Sequence, residues 1–369
     1  MRIARVESYA TQDVAVARVV TDTGAEGWGQ LSPYNADIAA TVLHRQVAPH
    51  VLGADPLAVE AITDRVLIGE HKFPGSYLCR ALAGLDTALW DLRGRLEGKS
   101  VAELLGAPPG VRVPVYASSM RRDITPEAEA ERLARLADMH GFGAFKVRVG
   151  KENGHDADEW PGRSEAVVAA VRRALGAEAT LLVDANGAYT PGTAIAVGRM
   201  LEDHGVVHFE EPCPYWEIDW TRRVRDKLRL DVAGGEQDNA MTAWRRIIGE
   251  GAVDIVQPDV CYLGGLTRTL RVADMAARAG IPCVPHSANL TLVTVFALHL
   301  MAAIPNAGPY VEYAIEPECY YPWQVGLFRP ALNVAEGHVT VPAGPGWGVE
   351  IEPQWRAAAH REVSTLTAA

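Results

Sequence analysis

From residue 113 onward, eight short β-rich runs alternate with helical stretches, and this rhythm restricts the fold more than any other feature of the chain. The runs are VPVYASS, AFKVRV, TLLVDAN, VVHFEEP, DVAGGE, VDIVQPD, IPCVPHS and PYVEYAI. Between them lie amphipathic segments such as TPEAEAERLARLADMHG, with Thr125 as its N-cap, and LTRTLRVADMAARAG, closed by a glycine. Such alternation predicts parallel βαβ units, because parallel neighbours need a crossover connection. Eight strands with seven helices point to a closed α/β barrel. An open doubly wound sheet is the rival, since periodicity does not report closure.

The chain of 369 residues suits one large barrel with a smaller companion. Its start reads as two strands, RIARVESYA and VAVARVV, with TDTG as a turn before AEGWGQ, and helical patterns then run from about Asn35 to Gly98. The expected organisation is an α+β segment over residues 1–112, the barrel over 113–318 and a tail over 319–369. That tail is rich in Pro, Gly and aromatics, carries a hairpin-like LNVAEGHVTV, and reads as a lid or return segment.

Composition removes several function classes. A net charge of −11 argues against a nucleic-acid surface, and the cluster Arg222, Arg223, Arg225 has the spacing of a solvated helix face. No long uncharged apolar run suits a bilayer and no basic, apolar start suits a signal peptide, so no membrane partner is expected and the expected compartment is the cytoplasm. Five widely spaced cysteines fit neither a zinc site nor a disulfide framework.

Polar residues recur at the predicted C-terminal ends of the runs: Lys146, Asp184, Glu210, Glu236, Asp259, His286 and Glu312. In a parallel barrel these ends share one rim, so strands three to eight each deliver an ionisable group to a common space. Singly, each carboxylate is as well explained by a helix N-cap, and the histidine by a core position. Together, Asp184, Glu210 and Glu236 on adjacent strands would repel one another unless a cation lies among them. An all-oxygen set favours a hard ion with open positions, Mg²⁺ over Zn²⁺. Asp259 and His286 come from neighbouring strands, and an aspartate on one imidazole nitrogen makes the other a general base or acid. Lys146 stands across the rim, with Arg148 two residues on and on the same face of its strand.

The chain resembles the enolase superfamily, and within it the mandelate racemase subgroup. The resemblance is carried by GLDTALWDLRGRLEGKSVAELLG, FKVRVG, LLVDANGAY, HFEEP, AGGE, IVQPDVCYLGGLT, PHS and VEY, in order along most of the chain. It implies an α+β capping domain, completed by the C-terminal segment, on a modified TIM barrel of (β/α)7β form, with Mg²⁺ on Asp184, Glu210 and Glu236 and a catalytic dyad of Asp259 and His286. It further implies that Glu312 meets the substrate carboxylate or the developing enediolate, that Asn186 contacts a substrate hydroxyl, and that the loops GQLSPYN and EHKFPGS close over the site. Tyr34, His71 and Lys72 are the candidates there, with plain surface exposure as the alternative. A symmetric homo-oligomer is the family expectation.

One position departs from the pattern. Members with a lysine base on this strand carry Lys-x-Lys, and here the second position is Arg148, whose guanidinium does not release its proton at ordinary pH. Racemisation needs competent groups on both faces of a carbon, whereas β-elimination of water can run through His286 alone. The expected activity is therefore Mg²⁺-dependent dehydration of a small-molecule sugar acid, aldonate or aldarate, to a 2-keto-3-deoxy acid, with Lys146 and Arg148 as electrophilic contacts. Lys146 as a base would give a racemase, epimerase or cycloisomerase instead, and an enolase-like scaffold without catalysis is the remote third reading. Arg121 and Arg122, after the first strand, read equally as hydroxyl contacts or as surface charges.

Overall fold

The computed structural model describes residues 1–366; the last three residues of the predicted tail lie outside the described residues. Three antiparallel strands open the chain, β1 (Ile3–Ala10), β2 (Ala15–Thr21) and β3 (Glu26–Gln30). The predicted helical stretch follows, dominated by Ser76–Glu97, which ends where Gly98 adopts a positive φ of 66°. Gly27 and Gly29 let β3 lie directly on this helix, because an added Cβ at either would collide with the backbone or side chains of Thr87, Ala88 and Leu92. Every residue of this helix from Ala81 to Leu92 is buried, so it is enclosed on all sides, and a core of aliphatic residues from sheet and helix fills the join.

The barrel is closed. Parallel strands β4 (Arg112–Ser118), β5 (Ala144–Arg148), β6 (Thr180–Asp184), β7 (Val206–Glu210), β8 (Asp231–Gly234) and β9 (Ile255–Val256) pair in sequence order, and β10 (Val311–Ala314) returns to pair with β4. That last pairing excludes the open sheet. The seventh run, IPCVPHS, does not form a full strand: Cys283 alone bridges Val256 on one side and Ala307 on the other. Pro282 and Pro285 flank it and lack the N–H groups a ladder needs. Strand interiors are largely buried on both faces and mostly apolar, Lys146 and His208 being polar exceptions, as expected when helices cover the outside of the sheet.

The tail has two destinations. Its hairpin, Val334–Ala335 with His338–Thr340, pairs antiparallel with the start of β4, at the end of that strand away from the polar rim. The strand His360–Thr365 pairs antiparallel with β1 and so extends the first sheet. Gln30, at the end of β3, ties that sheet to the barrel by donating to Thr291 Oγ1 at 2.7 Å and accepting from Leu292 N at 2.9 Å. All five cysteines are free, and no described helix is long and apolar enough to cross a membrane.

Candidate active site

Parallel register places the polar strand ends side by side. Arg148 lies opposite Asp184, and Asp184 opposite Glu210, so one cation and two carboxylates form a row across β5, β6 and β7. Lys146, two residues earlier on the same face, is fully buried. Its Nζ lies 2.6 Å from Glu210 Oε2, 2.8 Å from Glu312 Oε1 and 3.7 Å from Asp184 Oδ2. Burial alone would lower the pKa of this ammonium, but Glu210 and Glu312 outweigh it and hold the pKa above the usual lysine range. The Arg148 guanidinium pairs with Asp184 and donates to Ser119 O at 3.0 Å and Asn186 Oδ1 at 2.9 Å.

Glu312 is held from three sides: beyond Lys146, Ser118 Oγ donates to it at 2.7 Å and Ser287 N at 2.8 Å. Burial would raise its pKa, but Lys146 and His286 bring it down to about 2, so it is a fixed anion. Opposite stands His286, its Nδ1 2.8 Å from Asp259 Oδ2 and its Nε2 3.2 Å from Glu236 Oε2. Burial disfavours the imidazolium, yet Glu236 and Asp259 raise its pKa to about 10. Asp259 serves two tasks with two oxygens: Oδ2 holds the imidazole, while Oδ1 caps the short helix Val260–Leu263 by accepting from Cys261 N and Tyr262 N. Asp259 is thus an N-cap and the hydrogen-bond partner of His286 at once. The Tyr262 ring lies against His286, with centroids 5.8 Å apart.

Asp184, Glu210 and Glu236 occupy three successive strand ends, but they are not drawn together as a ready metal-holding group, and no such group exists among the described residues. Lys146 and Arg148 lie on their oxygens instead, so the protein's own cations meet part of the charge. The remainder still fits a hard cation. Five buried carboxylates (Asp184, Glu210, Glu211, Glu236 and Glu312) face only these two permanent cations. Glu210 Oε1 and Glu211 Oε1 are both buried without a hydrogen-bond partner. Burial, then repulsion from Glu236 and Glu210, pushes the Glu211 pKa far above the carboxylate range. Sequence reasoning passed over Glu211; the signal was the doubled glutamate of HFEEP, whose second member adopts a positive φ of 40°.

The loop candidates separate. Arg121 forms a two-point pair with Asp123 at 2.6 and 2.8 Å and stacks on Tyr320, so it is committed away from the rim. Arg122 instead reaches the site, donating to Asn186 Oδ1 at 2.8 Å and Gly150 O at 2.9 Å. His71 and Lys72 are exposed and make no side-chain bond to any rim residue. Tyr34 packs edge-on against Trp323 at 5.5 Å, and Trp323 continues into Tyr321 and Tyr320. An aromatic wall from the tail thus meets the capping loop, a contact between distant segments that no local pattern announces.

Comparison with known proteins agrees with this architecture. Residues 2–106 match the family model of the mandelate racemase / muconate lactonizing enzyme N-terminal domain, and residues 128–355 that of the enolase C-terminal domain-like family. The chain is 32% identical to the D-galactarolactone cycloisomerase of Agrobacterium fabrum, covering 91% of this chain and 88% of the relative. It is 28% identical to the arabinonate dehydratase of Saccharolobus solfataricus, covering 92% and 88%. A crystal structure from Roseobacter denitrificans, described as a candidate racemase, superposes with a TM-score of 0.98 at 56% identity, covering 99% of this chain and all of that one. A mandelate racemase/muconate lactonizing protein from Paracoccus denitrificans PD1222, solved with magnesium, gives 0.88 at 29% identity over 99% of this chain and 98% of that one. An N-terminal cap on a TIM barrel, with both halves matched in order, places this chain in the mandelate racemase / muconate lactonizing enzyme family of the enolase superfamily.

Proposed function

We propose that this protein dehydrates a sugar acid, removing the proton α to its carboxylate and then the β-hydroxyl to leave a 2-keto-3-deoxy acid. The observation that carries this reading is the asymmetry of the rim: His286, oriented by Asp259, faces a side built from Lys146 and Arg148, of which the arginine cannot act as a base. Asp184, Glu210 and Glu236 would hold Mg²⁺, which supplies Lewis-acid stabilisation of the charge that builds on the substrate carboxylate. Nδ1 of His286 is committed to Asp259, so Nε2 is the nitrogen that exchanges protons with the substrate, as a base once Glu236 is withdrawn from it to a cation. It takes the α-proton to give the enediolate, then returns a proton to the departing hydroxide. Water leaves, and the enol relaxes to the keto acid. Lys146, kept cationic by Glu210 and Glu312, lies where it can offset the enediolate charge. The relative named arabinonate dehydratase supports this chemistry.

A second reading has its own support. Lys146 stands across from His286, and relatives are described as a racemase candidate and as a cycloisomerase. Both readings share the first proton transfer, so the products must separate them. Incubation of mono- and diacid sugars with Mg²⁺ in deuterated water, followed by semicarbazide detection, should show 2-keto acid from one or a few substrates. Exchange at C2 with inversion and no keto acid would establish the second reading in its place.

A further inference from the structure

One cation at the rim touches no carboxylate, although Glu152 and Glu159 act on it from beyond ion-pairing distance. Arg148 is paired with Asp184, Lys146 with Glu210 and Glu312, Arg121 with Asp123, and Arg132 with Glu316. Arg163, behind them, is turned onto the carbonyls of Arg148 and Arg121. Arg122, like Arg163, bonds only to neutral oxygens, but its partner Asn186 also meets Arg148 at the rim. Its Nε donates to Gly150 O and its Nη2 to Asn186 Oδ1, while Nη1 has no hydrogen-bond partner and no carboxylate lies within ion-pairing distance among the described residues. Arg148 donates to the same Asn186 oxygen, so two guanidinium groups converge on one neutral acceptor. Two guanidinium groups brought together in a half-buried place, only one of them paired with a carboxylate, are a site that an anion would complete.

We infer that Arg122 receives a second carboxylate of the substrate, which makes the preferred substrate an aldarate, a sugar acid with a carboxylate at each end. The inference rests on the sugar-acid reading above. The reacting carboxylate belongs with Lys146, beside Glu312 and the metal-ligand candidates, where Lys146 and a cation on those ligands would meet its charge. Arg122 lies farther out on the loop after β4, fixed in orientation by Gly150 and Asn186, with part of its planar fork open. A carboxylate matches such a fork with two parallel N–H···O bonds, and arginine is the side chain suited to that geometry. A monoacid sugar would offer only hydroxyls there and leave the guanidinium charge unanswered. Discrimination follows, because a missing charge-assisted bond of this kind is worth about 10- to 100-fold in affinity.

The test compares matched aldarates and aldonates in the Mg²⁺-loaded enzyme, for wild type, Arg122→Gln and Arg122→Lys. The wild type should favour diacids in kcat/KM by at least 10-fold. Arg122→Gln should lower that ratio about 10- to 100-fold, and Arg122→Lys, which keeps the charge without the fork, should fall between. A preference for aldonates, or a parallel loss on both substrate classes, overturns the inference, since a residue that merely oriented Asn186 would affect both alike. Binding provides the readout that does not depend on turnover: adipate, a six-carbon diacid, should raise the melting temperature of the wild type more than hexanoate does, and Arg122→Gln should abolish the difference. If no acid sugar reacts but that difference behaves as stated, the dehydration reading falls and the Arg122 site stands. If adipate and hexanoate act equally on wild type, the site falls.

Discussion

Arg148 and Lys146 differ in what each can surrender. Arg148 spends its fork on Asp184, Ser119 O and Asn186, so it is a structural clamp as much as a charge. Arg148→Lys should cut turnover at least 10-fold, because one ammonium cannot keep all three contacts; steady-state kinetics near wild type would reduce the residue to a simple charge. His286→Asn should abolish α-proton removal while leaving Mg²⁺ binding intact, as read by C2 deuterium exchange and calorimetry. Activity surviving there but lost in Lys146→Ala would exchange the roles. The ionisable strand ends were legible because a strand's period of two and a βα unit of about 25 residues fix where such groups emerge. Arg121 and Arg122 were not separable in that way. They are adjacent, and Asp123 decides between them through a loop bond that no period encodes.

At the scale of elements, the alternation predicted the barrel, and the prolines of IPCVPHS were the available sign that the seventh strand would shrink to a single bridge. What the sequence hides is how elements lock together over long distances. The helix Leu292–Met301 carries His299, fully buried, whose Nδ1 accepts from Ala102 N at 3.0 Å and whose Nε2 donates to Trp347 O at 3.1 Å. One imidazole thereby joins barrel, cap and tail, and only its neutral form fits both bonds. Burial lowers its pKa to about 4. With a depressed folded pKa, its contribution is complete above the unfolded value of about 6.5 and is lost as pH falls toward 4. Asp86 works in the opposite sense: burial raises its pKa to about 6, so ionising it costs stability as pH rises through that value. His299→Phe should destabilise by about 2–3 kcal/mol at pH 7.5, since two backbone groups lose their partner. Urea unfolding at pH 7.5 and 4.5 should show the gap to wild type narrowing in acid; a gap of constant size would remove His299 from the pH response.

For the whole molecule, the excess of buried carboxylate at the rim predicts that folding and cation binding are linked. Saturating Mg²⁺ at about 100 times its dissociation constant should add about 2.7 kcal/mol to stability. Thermal unfolding with Mg²⁺ and with EDTA should differ accordingly, and Glu210→Gln should flatten the difference; an unaltered response in that variant would take Glu210 out of the ligand set. The first sheet has a further consequence, one of timing. Strand β1 pairs with His360–Thr365, so a strand completed within the first ten residues waits for a partner made some 350 residues later. During synthesis the barrel segments emerge in between, each able to pair with its predecessor as it appears. The cap keeps an open edge until the tail arrives. The order of translation thus makes the outer edge of the first sheet later to form than the barrel strands between its two partners.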